Sequence, residues 1–186
     1  MRAIEILRRE HGWIRWMSEC LEMVISEGRA EEQLPPEAYE LMHLYESFAD
    51  GRHQEKEETL LFGELIATAS DSDRRVLGKL LEDHEGERRL MASMRLNLLG
   101  AVQGEPLCVR EFARAAGHYM DLHRAHMHRE ASVLFPMAER LLTPESDARV
   151  AAGFEEMEGG PGDPRGLEEQ ILRLRRRIGL PIPPAA

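Results

Sequence analysis

Along the N-terminal part of the chain, Ile4, Leu7, His11, Ile14, Ser18, Leu21 and Ile25 fall three and four residues apart, which is the spacing of one helix face. The pattern predicts a helix that ends near Gly28. Pro35 and Pro36 restart the chain as a helix N-terminus. A second helix then runs to about Ala69, with an inward stripe of Met42, Tyr45, Ala49, His53, Glu57, Leu60 and Leu61. The cluster "SDSD" from Ser70 to Asp73 is a capping signal. Behind it a third stripe, Leu77, Leu80, His84, Glu87, Met91, Met94 and Leu98, ends at Gly100. A fourth runs through Phe112, Ala115, Tyr119, His123, His126, Glu130, Val133, Leu134, Met137 and Leu141 and stops before Thr143 and Pro144.

Four long helices joined by short connections predict an all-α fold, an up-and-down antiparallel four-helix bundle, because short loops force successive helices to pack side by side. The bundle is expected to occupy residues 1–142. Residues 143–186 are expected to form a short C-terminal helical appendage: a helix around Glu145 to Met157, a "GGPGDP" break, a last helix from about Arg165 to Ile178, and a fraying tail "GLPIPPAA".

Composition agrees with helices more than with sheets, since charged residues reach 31% and aromatic residues only 5%. A net charge of −10 repels phosphates, which argues against nucleic acid and anionic membranes as partners. The short basic run "RLRRR", Arg173 to Arg177, is offset by Glu168 and Glu169 and reads as a solvated helix face. Cys20 and Cys108 have no CxxC-type spacing and are expected to be packed thiols. The opening "MRAIEILRREHGW" lacks the apolar stretch of a signal peptide, and no run approaches the roughly 20 apolar residues of a membrane span. The expectation is a cytoplasmic protein.

The chemistry lies in the polar residues that interrupt the apolar stripes. Each long helix carries a histidine there, namely His11, His53, His84 and His126, and two add a glutamate four residues on, Glu57 and Glu130. The stretches "RHQEKEETLLF" and "AHMHREASVLF" superpose His53 on His126, Glu57 on Glu130, Leu61 on Leu134 and Phe62 on Phe135. One inward histidine is usually satisfied by a backbone carbonyl. Four, with two carboxylates facing the same interior, require a shared compensating charge, because an unpaired buried carboxylate costs several kcal/mol. Residues i and i+4 share a helix face, so each HxxxE pair can aim a nitrogen and an oxygen at one point. Four nitrogens and two carboxylates suit two metal ions, with Glu57 and Glu130 long enough to bridge them, and a donor set without thiolate fits iron, and manganese and zinc less well.

In this arrangement the sequence resembles the hemerythrin-like, HHE cation-binding domains. The resemblance rests on His11 in "RREHGW", His53 and Glu57 in "RHQEKEE", His84 in "EDHEGE", and His126 and Glu130 in "AHMHREASVLFP", taken in order, and covers roughly residues 1–142. It implies a four-helix bundle around two non-haem iron ions, bridged by carboxylates and by an oxo or hydroxo group. By the same resemblance His11 and His53 serve one iron, His84 and His126 serve the other, and Glu57 and Glu130 bridge. The oxygen-carrying members have a second histidine on the third helix, four residues after the first, where this chain has Arg88. His123 shares the face of His126 and Glu130 and is a candidate further metal ligand, with a supporting or surface role as its alternative. Glu87 is a weaker candidate for the same space. His43, His118 and His128 fall off the stripe, and Tyr45 and Tyr119 are expected to pack near the site.

An iron with fewer protein ligands keeps a position for a small molecule. The resemblance therefore implies a protein that senses, carries or reduces dioxygen, nitric oxide or peroxide. The alternative is a metal-stabilised bundle without turnover, used for iron handling or for partner binding through the appendage. A ferritin-like site would require ExxH, and its nearest approach, "DGRH" from Asp50 to His53, occurs once and with aspartate. No GxSxG, Walker, Rossmann or HExxH motif supports a hydrolytic or nucleotide-binding function.

Overall fold

The structure is a computed structural model of the chain and describes residues 1–158 and 164–182. Among these residues it is all-helical, in six helices. Helix α1 is Arg2–Glu31. Helix α2 is a continuous run over 37–66, α-helical at Glu37–Leu44 and Phe62–Ile66 and π-helical at Tyr45–His53 and Lys56–Leu61. Helix α3 is Asp71–Val102. Helix α4 covers 106–141, with a π-helical turn at Glu130–Leu134 between Pro106–Arg129 and Phe135–Leu141. Helices α5, Pro144–Glu158, and α6, Pro164–Arg177, follow. The "GGPGDP" break and the end of the tail lie mostly outside the described residues.

The expected start of α3 is built as a capping box, in which the Ser70 hydroxyl accepts from the Asp73 backbone N–H and the Asp73 carboxylate accepts from the backbone N–H of Ser70. Two helix ends differ from expectation, since α1 and α3 run past Gly28 and Gly100. Those glycines mark close approaches instead: a Cβ on Gly28 would run into Leu34 Cδ2, and one on Gly100 would lie 2.5 Å from Cys108 Sγ. Helix α1 stops later, where Glu32 adopts a left-handed conformation at φ 56°.

The core divides into two apolar clusters with a polar layer between them. One cluster joins Ile4 and Leu7 at the start of α1, Leu61 and Leu65 at the end of α2, Leu77 and Leu80 at the start of α3, and Leu134 and Phe135 late in α4. The other joins Leu21 and Val24 late in α1, Leu41 and Tyr45 early in α2, Met94 and Leu98 late in α3, and Val109 and Phe112 early in α4. Starts therefore meet ends in both clusters, so the long helices alternate in direction. Helix α5 adds Val150, Ala151 and Phe154 to the first cluster, and α6 adds Leu167, Ile171 and Leu174 to the second. No helix among the described residues is long and apolar enough to cross a membrane.

One residue of the expected inward stripe departs from it. Val133 is 40% exposed while Leu134 is fully buried. The π-helical turn at Glu130–Leu134 takes up an extra residue and rotates Val133 off the face that a 3.6-residue period assigns to it.

Candidate metal centre

The polar layer holds His11, His53, Glu57, His84, His126 and Glu130, all of them buried. Both HxxxE pairs lie at π-helical turns, His53 and Glu57 in α2 and His126 and Glu130 in α4. Single π-helical turns are frequent at functional sites, because the extra residue re-aims side chains on either side of it. Gly51 makes this possible in α2, since a Cβ there would lie 2.7 Å from the Glu46 carbonyl oxygen.

The donor atoms separate into two groups that share the two carboxylates. In one group His11 Nε2 lies 3.1 Å from Glu130 Oε2, and His53 Nε2 lies 3.9 Å from Glu57 Oε1. In the other, His84 Nε2 lies 3.4 Å from Glu57 Oε2, and His126 Nε2 lies 2.9 Å from Glu130 Oε1. Within each group of four residues, the ligand atoms all lie within 4.8 Å of one another, and each group could hold a metal ion. Both oxygens of Glu57 and of Glu130, and Nε2 of His11 and of His53, are buried without a hydrogen-bond partner. Native interiors leave few such atoms unsatisfied, and a set of them converging on two points could be satisfied by bound cations.

The hemerythrin HHE cation-binding domain family model matches residues 2–138. The chain belongs to that family. No curated protein and no solved structure matches the chain.

The hemerythrin-type layer is held by carboxylates that the helical stripes did not single out. His53 Nδ1 pairs with Glu10 Oε2 at 2.7 Å, and His84 Nδ1 pairs with Glu58 Oε1 at 2.7 Å. Asp83 Oδ2 lies 3.8 Å from His126 Nδ1. A carboxylate that accepts a hydrogen bond from Nδ1–H, as Glu10 and Glu58 are placed to do, leaves the lone pair on Nε2, the atom turned to the shared glutamates, and makes it a better donor to a cation. These carboxylates are in turn neutralised from outside: Glu10 by Lys56, Glu58 by Arg88, and Asp83 by Lys79 and Arg129. Each sits one residue from a histidine or glutamate of the layer, which is the only trace of its role in the sequence.

Charge in the layer is finely divided. Burial works against a charge on His53, but Glu57, Glu10 and Glu130 outweigh it and lift the imidazole to about 9. Burial and the neighbouring Glu130 push the Glu57 carboxyl up. Glu130 is held well below the usual carboxylate range despite burial, because His126 and His11 stand against it. Burial also opposes a charge on Asp83, yet His126, Lys79 and Arg129 bring it down to about 2. On the His53 side the ring thus favours a proton where a cation would need its lone pair.

His123 and Glu87 lie beside the two groups and outside both. His123 Nδ1 is 3.0 Å from Glu87 Oε1, and Gln54 Nε2 donates to Glu87 Oε2 at 2.8 Å. Arg88, at the position of the absent histidine, donates to Gln54 Oε1 and to Glu58 Oε1, each at 2.8 Å. The His123 ring stacks on Tyr119 at 5.4 Å, and Tyr119 donates to Asp50 Oδ1 at 3.0 Å. His11 and His123 together line a cavity of about 400 Å³ between α1 and α4. His128 also lines that cavity but is exposed, and it belongs to neither group.

Proposed function

We propose that this protein holds a pair of non-haem iron ions and uses them to bind dioxygen, nitric oxide or peroxide, as a sensor, a carrier or a redox scavenger of one of these. The observation that carries the reading is the division of Glu57 and Glu130, each offering one oxygen to the His11 and His53 side and the other to the His84 and His126 side. A single cation would leave half of these oxygens unpaired in the interior. Imidazole and carboxylate donors without thiolate suit iron, and when bound, such a pair supplies redox change at positions a small molecule can reach.

The chain's own residues do the rest. Glu10 and Glu58 orient the imidazoles of His53 and His84, Asp83 faces that of His126, and Glu57 and Glu130 offer the bridges. Arg88 is engaged with Gln54 and Glu58 and adds no donor, so the protein supplies fewer ligands than the oxygen-carrying relatives do. The cavity between α1 and α4 offers a path to His11 from outside. His123 lines that path with Nε2 unpartnered and Nδ1 engaged by Glu87, placed to hydrogen-bond an incoming molecule. In this reading residues 1–142 form a four-helix bundle that carries the centre, residues 143–186 form an extension of it, and the protein acts in the cytoplasm.

The test is metal content followed by ligand mixing. Protein loaded with iron in air should contain about two irons per chain and absorb in the near ultraviolet as bridged ferric pairs do. One iron per chain would overturn the pair. Stopped-flow mixing of the reduced form with dioxygen, nitric oxide and hydrogen peroxide then separates a stable adduct from rapid oxidation. Two irons with neither response would leave the centre a structural one.

A further inference from the structure

The family match ends at residue 138, and α5 lies beyond it. Helix α5 nevertheless reaches the metal centre through one buried side chain. Lys56 is 1% exposed, and its Nζ lies between Glu10 Oε1 and Glu158 Oε1, the latter at 2.8 Å. The Phe154 ring packs against the same Nζ, 5.9 Å from its centroid. Glu10 is fully buried and engages His53 Nδ1 through its other oxygen. Contacts therefore run from Glu158 through Lys56 and Glu10 to His53.

Helix α5 is anchored independently of this chain of contacts. The Asp147 carboxylate accepts from the backbone N–H groups of Arg2 at 2.9 Å and Ala3 at 3.1 Å, which caps the start of α1. Gly153 lies against Leu60, where a Cβ would come within 2.9 Å of the leucine. The two ends of the metal centre are thus supported differently. His84 and His126 are steadied by Glu58, Arg88, Asp83 and Arg129, all on α2, α3 and α4. His53 is steadied by a path that ends on the C-terminal extension.

We infer that α5 clamps one of the two cation positions: by holding Lys56 it fixes Glu10, which orients His53, so the position formed with His11 depends on the extension and the position formed by His84 and His126 does not. The inference rests on the two-cation reading above. Lys56 and Glu158 touch no cation and act as positioning residues.

The experiment is calorimetric titration of the full-length, metal-free protein with cobalt(II), read in parallel by its visible absorption. The parent protein is expected to bind about two equivalents, and Lys56→Met to weaken one of them by roughly 10–100-fold while leaving the other unchanged. Glu158→Ala is expected to weaken the same equivalent by about 3–10-fold, with Glu158→Gln, which keeps an acceptor, restoring most of the loss. Because both residues act along one path, Lys56→Met combined with Glu158→Ala should be no weaker than Lys56→Met alone. Glu158 is at the surface end of the path, so its variants keep the test open if Lys56→Met does not fold. Equal weakening of both equivalents, or of neither, overturns the clamp while leaving the two-cation reading intact. A parent protein that binds fewer than about two equivalents overturns that reading and the clamp with it.

Discussion

His84 and His126 bring their Nε2 atoms to 3.1 Å from each other. His84 Nδ1 is engaged by Glu58, and His126 Nδ1 faces Asp83. If both rings keep their Nδ1 protons, two lone pairs point at each other in a buried site. Only a shared proton or a cation makes that arrangement favourable. Divalent cations should therefore stabilise the protein well above any non-specific effect. At a hundredfold excess over the dissociation constant, one site contributes about 2.7 kcal/mol. For a chain of this length that raises Tm by about 5–10 °C. Thermal melts with ferrous iron or cobalt(II), repeated after a chelator, measure this, and unchanged melts would remove the cation from the explanation.

The shared glutamates are the next test. Glu57→Ala or Glu130→Ala removes one oxygen from each group of donors and should lower the metal content by at least one ion per chain. His128→Ala should bind as the parent protein does, since His128 is exposed and lies outside both groups. Metal analysis of the purified variants decides it. An emptied site in His128→Ala would mean that the helix face has been assigned wrongly.

Much of this layer is legible in the sequence because a helix repeats every 3.6 residues. His11, His53, His84 and His126 share the spacing of the apolar residues around them, so the period alone places them inward, and the HxxxE spacing brings Glu57 and Glu130 with them. Glu10, Glu58 and Asp83 are a single residue away from those positions. That is a rotation of about 100° around the helix, which the period assigns to a flank. Only the packing of a neighbouring helix turns that flank into an interior at Glu10 and Asp83 and half covers it at Glu58. Lys56 lies on the same flank, next to Glu57, and it is buried because α5 covers it. The π-helical turns have no periodic signal, since one extra residue shifts the stripe without breaking it. Gly28 and Gly100 read as stops because a glycine that ends a helix and one that admits a neighbour look alike in a sequence.

Gly51 allows the π-helical stretch before His53, and it gives a third prediction. A methyl group there would meet the Glu46 carbonyl oxygen at 2.7 Å, against backbone that cannot rotate away. Gly51→Ala should destabilise the protein by about 1–3 kcal/mol, although alanine favours ordinary helix by ~1 kcal/mol. Urea denaturation measures the sign. A stabilised variant would show that the stretch relaxes to a regular α-helix at no cost.

Asp50 couples stability to pH. Burial, and then the charge of Glu87, pushes its carboxyl up to about 7 from an ordinary value of 3.8, although Tyr119 donates to it. Between those values the folded protein holds a proton that the unfolded chain has released. This contribution to stability therefore falls as pH rises through that window, by roughly 4 kcal/mol at most, and is level above it. Asp50→Asn should remove this slope and be more stable than the parent at about pH 8, the difference shrinking toward about pH 4. Denaturant melts of both proteins across that range provide the comparison, and parallel profiles would dismiss Asp50 as the source.

Protons and cations compete for His53, and the sign of that competition is fixed by its surroundings. Its charged form is disfavoured by burial but favoured more strongly by Glu57, Glu10 and Glu130, which raises it to about 9. In the metal-free protein this raised value adds stability that is fully present below the ordinary 6.5 and is lost as pH rises through about 9. A cation needs the neutral ring, so it must displace this proton at every pH below that point. Apparent cation affinity should accordingly rise with pH, by up to tenfold per unit for one displaced proton, and level off near the folded value. Glu10→Gln takes away part of what holds the proton and should flatten the dependence while weakening the plateau affinity. Cobalt(II) titrations between about pH 6 and pH 9.5, with proton release followed in two buffers of different ionisation enthalpy, measure both quantities. An affinity that is independent of pH across this range would show that His53 carries no proton when the cation arrives.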